Sequence, residues 1–311
     1  MVLLAALMAA LSFVVDAASH AWRDSQSRTD SFQSARTALE IMSRELAPAV
    51  VNTQMQFVVA PGTVLTNAGA LNVVPSAPAV LWMAPLGSEG QLCCVGYYLY
   101  SDPTHTFYRL KRIFVAPSTS IGAVSPYFPR MTNPTSPRNA ALEPSPDNAN
   151  WFTNNWTKET FDEEDPTDTT TVVSTAADGV IAFWVQCLDL LGNPIPAPPA
   201  PTTAAGVQLI YNSATYFEMA TTTPFDTGLG FVYLSRSPQA LKGNRTPAAI
   251  NLTVVVLDAL SLARNPTVPP QGASVDGGGP LDLQAYQTAL QANKIYNAKA
   301  FTTRVRFFNG S

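Results

Sequence analysis

The sequence predicts an α+β protein, a long N-terminal helix packed on one antiparallel β-sheet with long loops. Three observations carry this. From Met1 the chain meets no proline until Pro48 and is rich in Leu, Ala and Met at its start, all good helix formers. "LCCVGYYLYSDPTHTFYRLKRIFV" reads as a hairpin with arms Leu92–Tyr100 and Thr106–Val115. "FTTRVRFFN" alternates, with Phe301, Thr303, Val305 and Phe307 on one side and Thr302, Arg304 and Arg306 on the other.

The helix changes character along its length. From Met1 to Val15 the one polar residue is Ser12. That run is ~22 Å long as a helix, short of the ~30 Å hydrocarbon core. No Lys or Arg precedes it, which is unlike the basic start of a signal peptide. Further on, Phe32, Ala35, Leu39, Met42 and Leu46 recur at three- and four-residue steps and form one stripe, suited to packing on a sheet. Glu40 and Arg44 stand i, i+4 in the favourable order, and Pro48 ends the helix. Residues 1–47 therefore read as one stalk of about 70 Å, and residues 48–311 as the globular part. A first third that is apolar all round suits lipid or a helix bundle.

The remaining elements follow in order. Short strands are expected at Thr53–Val59 and Ala79–Pro85, then the hairpin. "DNANWFTNNWTKETF" (Asp147–Phe161) reads as a short helix behind an Asp cap, and Asp162–Thr171 as an acidic loop. Val180–Leu188 is a strand with Ile181, Phe183, Val185 and Cys187 on one face and Trp184 and Gln186 on the other. Pro194–Gly206 is extended and proline-rich. Ala248–Asp258 is a buried strand by its β-branched content, and Asn265–Pro280 a flexible connector. Leu281–Tyr296 is a helix that buries Leu283, Tyr286 and Leu290.

Composition narrows the function. Charged residues make up only 13% of the 311, and 26 prolines point to long loops, as in an envelope or extracytoplasmic protein. A net charge of −4 with no Lys/Arg run argues against nucleic acid as a partner. His20 lies on the stalk and His105 in the hairpin turn, so neither accompanies a nucleophile. There is no G-x-S-x-G, P-loop or dinucleotide fingerprint, and no small-molecule substrate is predicted. Cys93 and Cys94 cannot both pair with Cys187. One bridge, Cys94–Cys187, or three buried thiols are the alternatives. Zinc lacks its short-spaced ligand pairs. Asp162, Glu163, Glu164, Asp165 and Asp168 offer the oxygens Ca²⁺ prefers, but not in EF-hand order, and a solvated loop is the simpler reading. No cofactor is otherwise expected.

A long helix, apolar then amphipathic, ahead of an antiparallel sheet resembles type IV pilins and type II secretion pseudopilins. "VGYYLY…FYRLKRIF" (Val95–Phe114), "DGVIAFWVQCLDLLGNPI" (Asp178–Ile195) and "PAAINLTVVVLD" (Pro247–Asp258) are similar to strands of J-type minor pseudopilins. More narrowly, "SRTDSFQSARTALEIMSREL", "AVVNTQ", "APLG", "VGYYLY" and "LQANKIYNAKAFTTRVRF", in that order, resemble the prepilin-like Verru_Chthon cassette protein C family. The resemblance implies a structural filament subunit, not an enzyme, minor and near the tip. Leu3, Leu4, Leu7, Leu11, Phe13 and Val14 would anchor it in the inner membrane, single-pass, with the globular part in the periplasm or on the cell surface. They would then pack against other pilin-like subunits, while Phe32, Leu39, Met42 and Leu46 hold the sheet to the stalk. The family's basic leader, its Gly, and the Phe and Glu that follow are not seen here. Aligning the polar switch at Asp16 places about ten mature residues and the leader upstream of Met1, which would lengthen the apolar run to the ~20 residues of a span. The alternative is a membrane-anchored binding module for glycan or protein, presenting Trp151, Trp156 and Phe161. An anchored enzyme comes third.

Overall fold

The computed structural model describes residues 2–51, 57–62, 72–87, 93–101, 105, 107–115, 171–195, 211–212, 225–226, 232–233, 247–264, 266–272 and 279–307. The expected helix at Asp147–Phe161, its Trp151, Trp156 and Phe161, and the acidic set Asp162, Glu163, Glu164, Asp165 and Asp168 lie outside the described residues.

Helix α1 spans Val2–Leu46. It ends where Pro48 offers no N–H, and the chain turns back with Ala49 N donating to the Leu46 carbonyl at 2.9 Å. Val50 N then bonds the Met83 carbonyl at 2.9 Å, which ties the helix exit to the sheet. The strands are β1 (Val58–Pro61), β2 (Pro78–Ala84), β3 (Cys93–Ser101), β4 (Tyr108–Val115), β5 (Thr171–Leu188), β6 (Tyr211–Asn212), β7 (Phe225–Asp226), β8 (Val232–Tyr233), β9 (Ala249–Leu257) and β10 (Ala298–Arg306). Among the described residues, eight of them form one sheet in the order β10-β9-β5-β4-β3-β2-β1-β6, and β7 pairs with β8 apart. The pairings within that sheet are antiparallel. Two short helices, α2 (Ala259–Ala263) and α3 (Pro280–Ala292), fill the connection from β9 to β10.

The α+β architecture is therefore as the sequence predicts. Leu39, Met42 and Leu46 are buried, and Phe32 packs half-buried beside them. They meet one face of the sheet, made by Trp82, Tyr97, Leu110, Phe183, Val185, Leu252, Val254 and Val305. Each such aliphatic side chain contributes about 2 kcal/mol by leaving water. The sheet curves round this core, and Phe57 before β1 touches Phe307 after β10, ring centroids 5.6 Å apart. The opposite face carries a second, smaller core. There Ile181, Ala182, Trp184, Val255 and Leu257 pack under Tyr286 and Leu290 of α3.

Four expectations are corrected. Of the strand expected at Thr53–Val59, residues 53–56 lie outside the described residues, and the strand described there, Val58–Pro61, runs past Val59. The strand expected at Val180–Leu188 begins at Thr171. Its first half pairs with β4 and its second half with β9, with register shifts between them. One shift lies between Val180 and Ala182, so Ile181 is the inserted residue. It moves to the face opposite Phe183, where simple alternation had put it with Phe183, Val185 and Cys187. The third correction is α3, which stops at Ala292, short of Tyr296. Lys294 turns left-handed at φ 61°, and Ile295 N reaches back to the Leu290 carbonyl at 2.9 Å. Last, the Cys94–Cys187 bridge is not formed: Cys93, Cys94 and Cys187 are free and buried. Cys94 stands opposite Val115, and Val115 opposite Thr171, while Cys187 lies towards the far end of that same strand.

Candidate functional site on the N-terminal helix

Helix α1 has a docked half and a projecting half, and the boundary is at Ser27 and Arg28. Arg28 Nε donates to Asp258 Oδ2 at 3.0 Å. The Asp258 side chain is fully buried, and its other oxygen accepts from Ser261 N at 2.8 Å, capping α2. One carboxylate thus starts a helix and holds the stalk. Four residues on, the Phe32 ring lies 5.7 Å from Phe301, flanked by Lys299 over both rings and Arg36 over Phe301.

The second clamp is at the C-terminal turn. Arg112 of β4 donates to Glu45 from Nη2 at 2.7 Å and from Nε at 3.0 Å. Tyr97 of β3 donates its hydroxyl to Glu45 Oε2 at 2.7 Å. Trp82 of β2 donates its indole N–H to the Glu45 carbonyl at 3.2 Å and stacks on Tyr97, centroids 5.8 Å apart. An acid at a helix C-terminus faces the negative end of the macrodipole, and the guanidinium offsets that. Burial works against the Arg112 charge, but the bond and charge of Glu45 outweigh it and hold the guanidinium pKa above its ordinary value. Burial, then the neighbouring Glu45 charge and the bond to it, pushes the Tyr97 phenol up, so it stays protonated as a donor.

Before Arg28 the helix projects. Among its described side chains Met8, Leu11, Phe13, Val14, Val15 and Trp22 are exposed, with Phe13 at 76% and Trp22 at 74%. Leu3, Leu4 and Leu7 lie in the helix, but their side chains are outside the described residues. Leu11, Val14, Ala18 and Ala21 continue, at alternating steps of three and four through Ser25 and Arg28, the row that becomes Phe32, Ala35, Leu39, Met42 and Leu46, so the apolar row is interrupted by two polar residues where the docked half begins. One heptad seam thus runs along α1, covered by the sheet only in its second half. Among the described residues, no helix is long and apolar enough to cross a membrane.

His105 lies against the Phe107 ring at 4.7 Å, and His20 pairs with Asp16 at 3.5 Å on the exposed helix. No group of three or more His, Cys, Asp or Glu that could hold a metal occurs among the described residues. Burial raises the thiol pKa of Cys93, Cys94 and Cys187, which keeps them inert. Sequence reasoning named the apolar residues of α1 but missed Arg28, Glu45, Tyr97, Arg112 and Asp258. The readable signal was Glu45 itself, an acid in the last helical turn that calls for an external cation. A scan against protein-family models finds no match to this chain, and a search of curated proteins finds none either.

Proposed function

We propose that the chain is a structural subunit of a type IV pilus-like or type II secretion pseudopilus filament, which assembles through the projecting half of α1. One observation carries the reading: a heptad row that is apolar on either side of Ser25 and Arg28, its second half covered by the chain's own sheet and its first half bare. A bare row of Leu11, Val14 and Ala18 costs solvation energy unless another apolar surface takes it. Helices of neighbouring subunits offer a surface with the same period, and small residues such as Ala18 and Ala21 let two backbones approach closely. Before assembly the same apolar run would rest in the inner membrane. The two ion-pair clamps give the stalk a fixed direction relative to the sheet, as a subunit repeated in a lattice requires. This is a role in assembly, without turnover of a substrate.

The test is incorporation. Leu11→Asp and Val14→Glu variants, expressed in the native cell beside the unaltered chain, should drop out of the sheared, sedimentable filament fraction. Their thermal unfolding should be unchanged, because neither side chain touches the sheet. Normal sedimentation of both variants would sink the proposal.

A further inference from the structure

Among the described residues, the most exposed large apolar side chains away from α1 are consecutive. Leu190 is 78% and Leu191 86% exposed, in the turn that follows β5. The turn is rigidly built. Asp189 Oδ1 accepts from Leu191 N at 2.9 Å and from Asn193 N at 2.8 Å. The backbone closes it twice, Asp189 N to the Asn193 carbonyl at 2.9 Å and Gly192 N to the Asp189 carbonyl at 3.0 Å. Gly192 adopts φ 84°, a conformation that suits glycine. A turn held this firmly presents its two leucines instead of folding them away.

The flank of the turn is basic. Arg304 lies against it, its Nη2 3.8 Å from where a Gly192 Cβ would stand, and is steered there by a 3.1 Å bond from its Nε to Asn251 Oδ1. Arg306, exposed on the same side of β10, stands across β9 from the end of β5. A complement would be apolar, with a carboxylate at its border. The projecting helix carries that pattern. Met8, Val15 and Trp22 recur every seven residues in an exposed row beside the heptad seam, and Asp16, exposed, borders them. Within one molecule the two cannot meet. The helix leaves the sheet at Asp258, after the end of β9, whereas the leucine turn sits at the start of β9, about 30 Å away by strand length.

We infer that the Leu190–Leu191 turn is a docking knob for the projecting helix of a second copy, with the leucines against the Met8–Val15–Trp22 row and Arg304 and Arg306 beside Asp16. The two surfaces differ, so the contact is heterologous and propagates into an open array. The inference rests on the filament reading and adds to it a second contact between copies, distinct from the helix seam.

The test is a disulfide trap in whole cells. The native thiols are buried, so introduced cysteines are the accessible ones. Chains carrying Leu191→Cys and chains carrying Val15→Cys are co-expressed and mildly oxidised. A covalent dimer is expected in the mixture, and not when Val15→Cys is replaced by Thr288→Cys on the exposed side of α3. Arg306→Asp should cut the dimer yield roughly tenfold, and adding Asp16→Arg to the partner chain should restore it. No dimer from chains that still sediment with filaments overturns the knob and leaves the filament reading standing. Equal dimer yield at Val15 and Thr288 overturns it too, as collision alone. Chains that neither cross-link nor sediment count against both.

Discussion

Arg112 and Glu45 form a forked pair, Nη2 to Oε1 at 2.7 Å and Nε to both carboxylate oxygens at 3.0 Å, that joins the fourth strand to the last turn of the N-terminal helix. The two side chains are only 20% and 12% exposed, so solvent screens the pair weakly. Tyr97 takes part in the same knot. Removing either partner strands the other in a poorly solvated place. Glu45→Gln or Arg112→Met should each cost about 2 kcal/mol in denaturant unfolding. The double variant should cost clearly less than the two added, and a double-mutant cycle measures that difference. Additive losses would show that the pair does not couple.

Arg28 and Asp258 make the second clamp, and here one carboxylate has two duties. Asp258→Asn can still cap α2, since an amide oxygen accepts from Ser261 N. It loses the charge that holds Arg28. Asp258→Ala loses both, so it should unfold at lower denaturant than Asp258→Asn by about 1 kcal/mol in stability. Arg28→Ala leaves the fully buried carboxylate capped but unpaired, whereas Asp258→Asn leaves a half-exposed guanidinium to water, so Arg28→Ala should be the more destabilising of the two. Equal melting of the Ala and Asn variants at Asp258 would mean that the cap contributes nothing.

How far the sequence reveals these elements depends on the range over which each signal acts. The stripe Phe32, Leu39, Met42, Leu46 is periodic, and periodicity reports burial whatever the partner is, so the docked face of the helix was legible. The strand from Thr171 was not, because "STAADG" holds a single β-branched residue, Thr175, among small and turn-forming ones, and because Asp178 and Gly179 belong to the irregular pairing with β4. Nor was the swap of Ile181 to the other face, since one inserted residue inverts an alternation without leaving a mark of its own. The clamps join residues 67 and 230 positions apart, and no local pattern announces such a pair. The projecting apolar helix was legible as an apolar run. Only the fold shows that the chain's own sheet leaves it uncovered.

Gln271 replaces a missing strand. The fourth strand starts at Tyr108, opposite Val180, and beyond that point the fifth pairs with the ninth. The buried Gln271 amide fills the gap. Its Oε1 accepts from Phe183 N at 3.0 Å and its Nε2 donates to the Phe183 carbonyl at 2.7 Å. Tyr286 does the same one step away, donating to the Ile181 carbonyl at 2.9 Å. Gln271→Ala leaves two buried backbone groups unsatisfied and should cost about 2 kcal/mol. Gln271→Glu should be no better near neutral pH, because a carboxylate accepts but cannot donate. Amide hydrogen exchange at Phe183 gives the direct reading, and it should speed up in both variants. Unchanged protection there would mean another group covers that edge.

The buried thiols and phenols set an alkaline limit on stability. Burial raises the pKa of Cys93, opposed by the Arg112 charge. It raises Cys94 further, with the adjacent Cys93 adding to it, and raises Cys187 by burial alone. Burial also raises Tyr97, Tyr108 and Tyr286. Each group is neutral when protonated, so the fold prefers the protonated form. Below about pH 8 both folded and unfolded chains hold these protons, and stability does not change on their account. As pH rises through about 8.5, the unfolded chain releases its thiol protons while the folded chain keeps them. Stability then falls, by up to about 1.4 kcal/mol per pH unit for each thiol, with the phenols joining above about pH 10. Melting temperature should therefore be flat from pH 7 to 8 and decline steadily above 9. Replacing Cys187 by Ala should lessen that slope, a comparison made between slopes and so independent of the cavity left behind. In the same pH range an aromatic disulfide reagent should label the folded protein only at the rate of unfolding. Rapid labelling of native thiols at pH 8 would place a cysteine at the surface and contradict their burial.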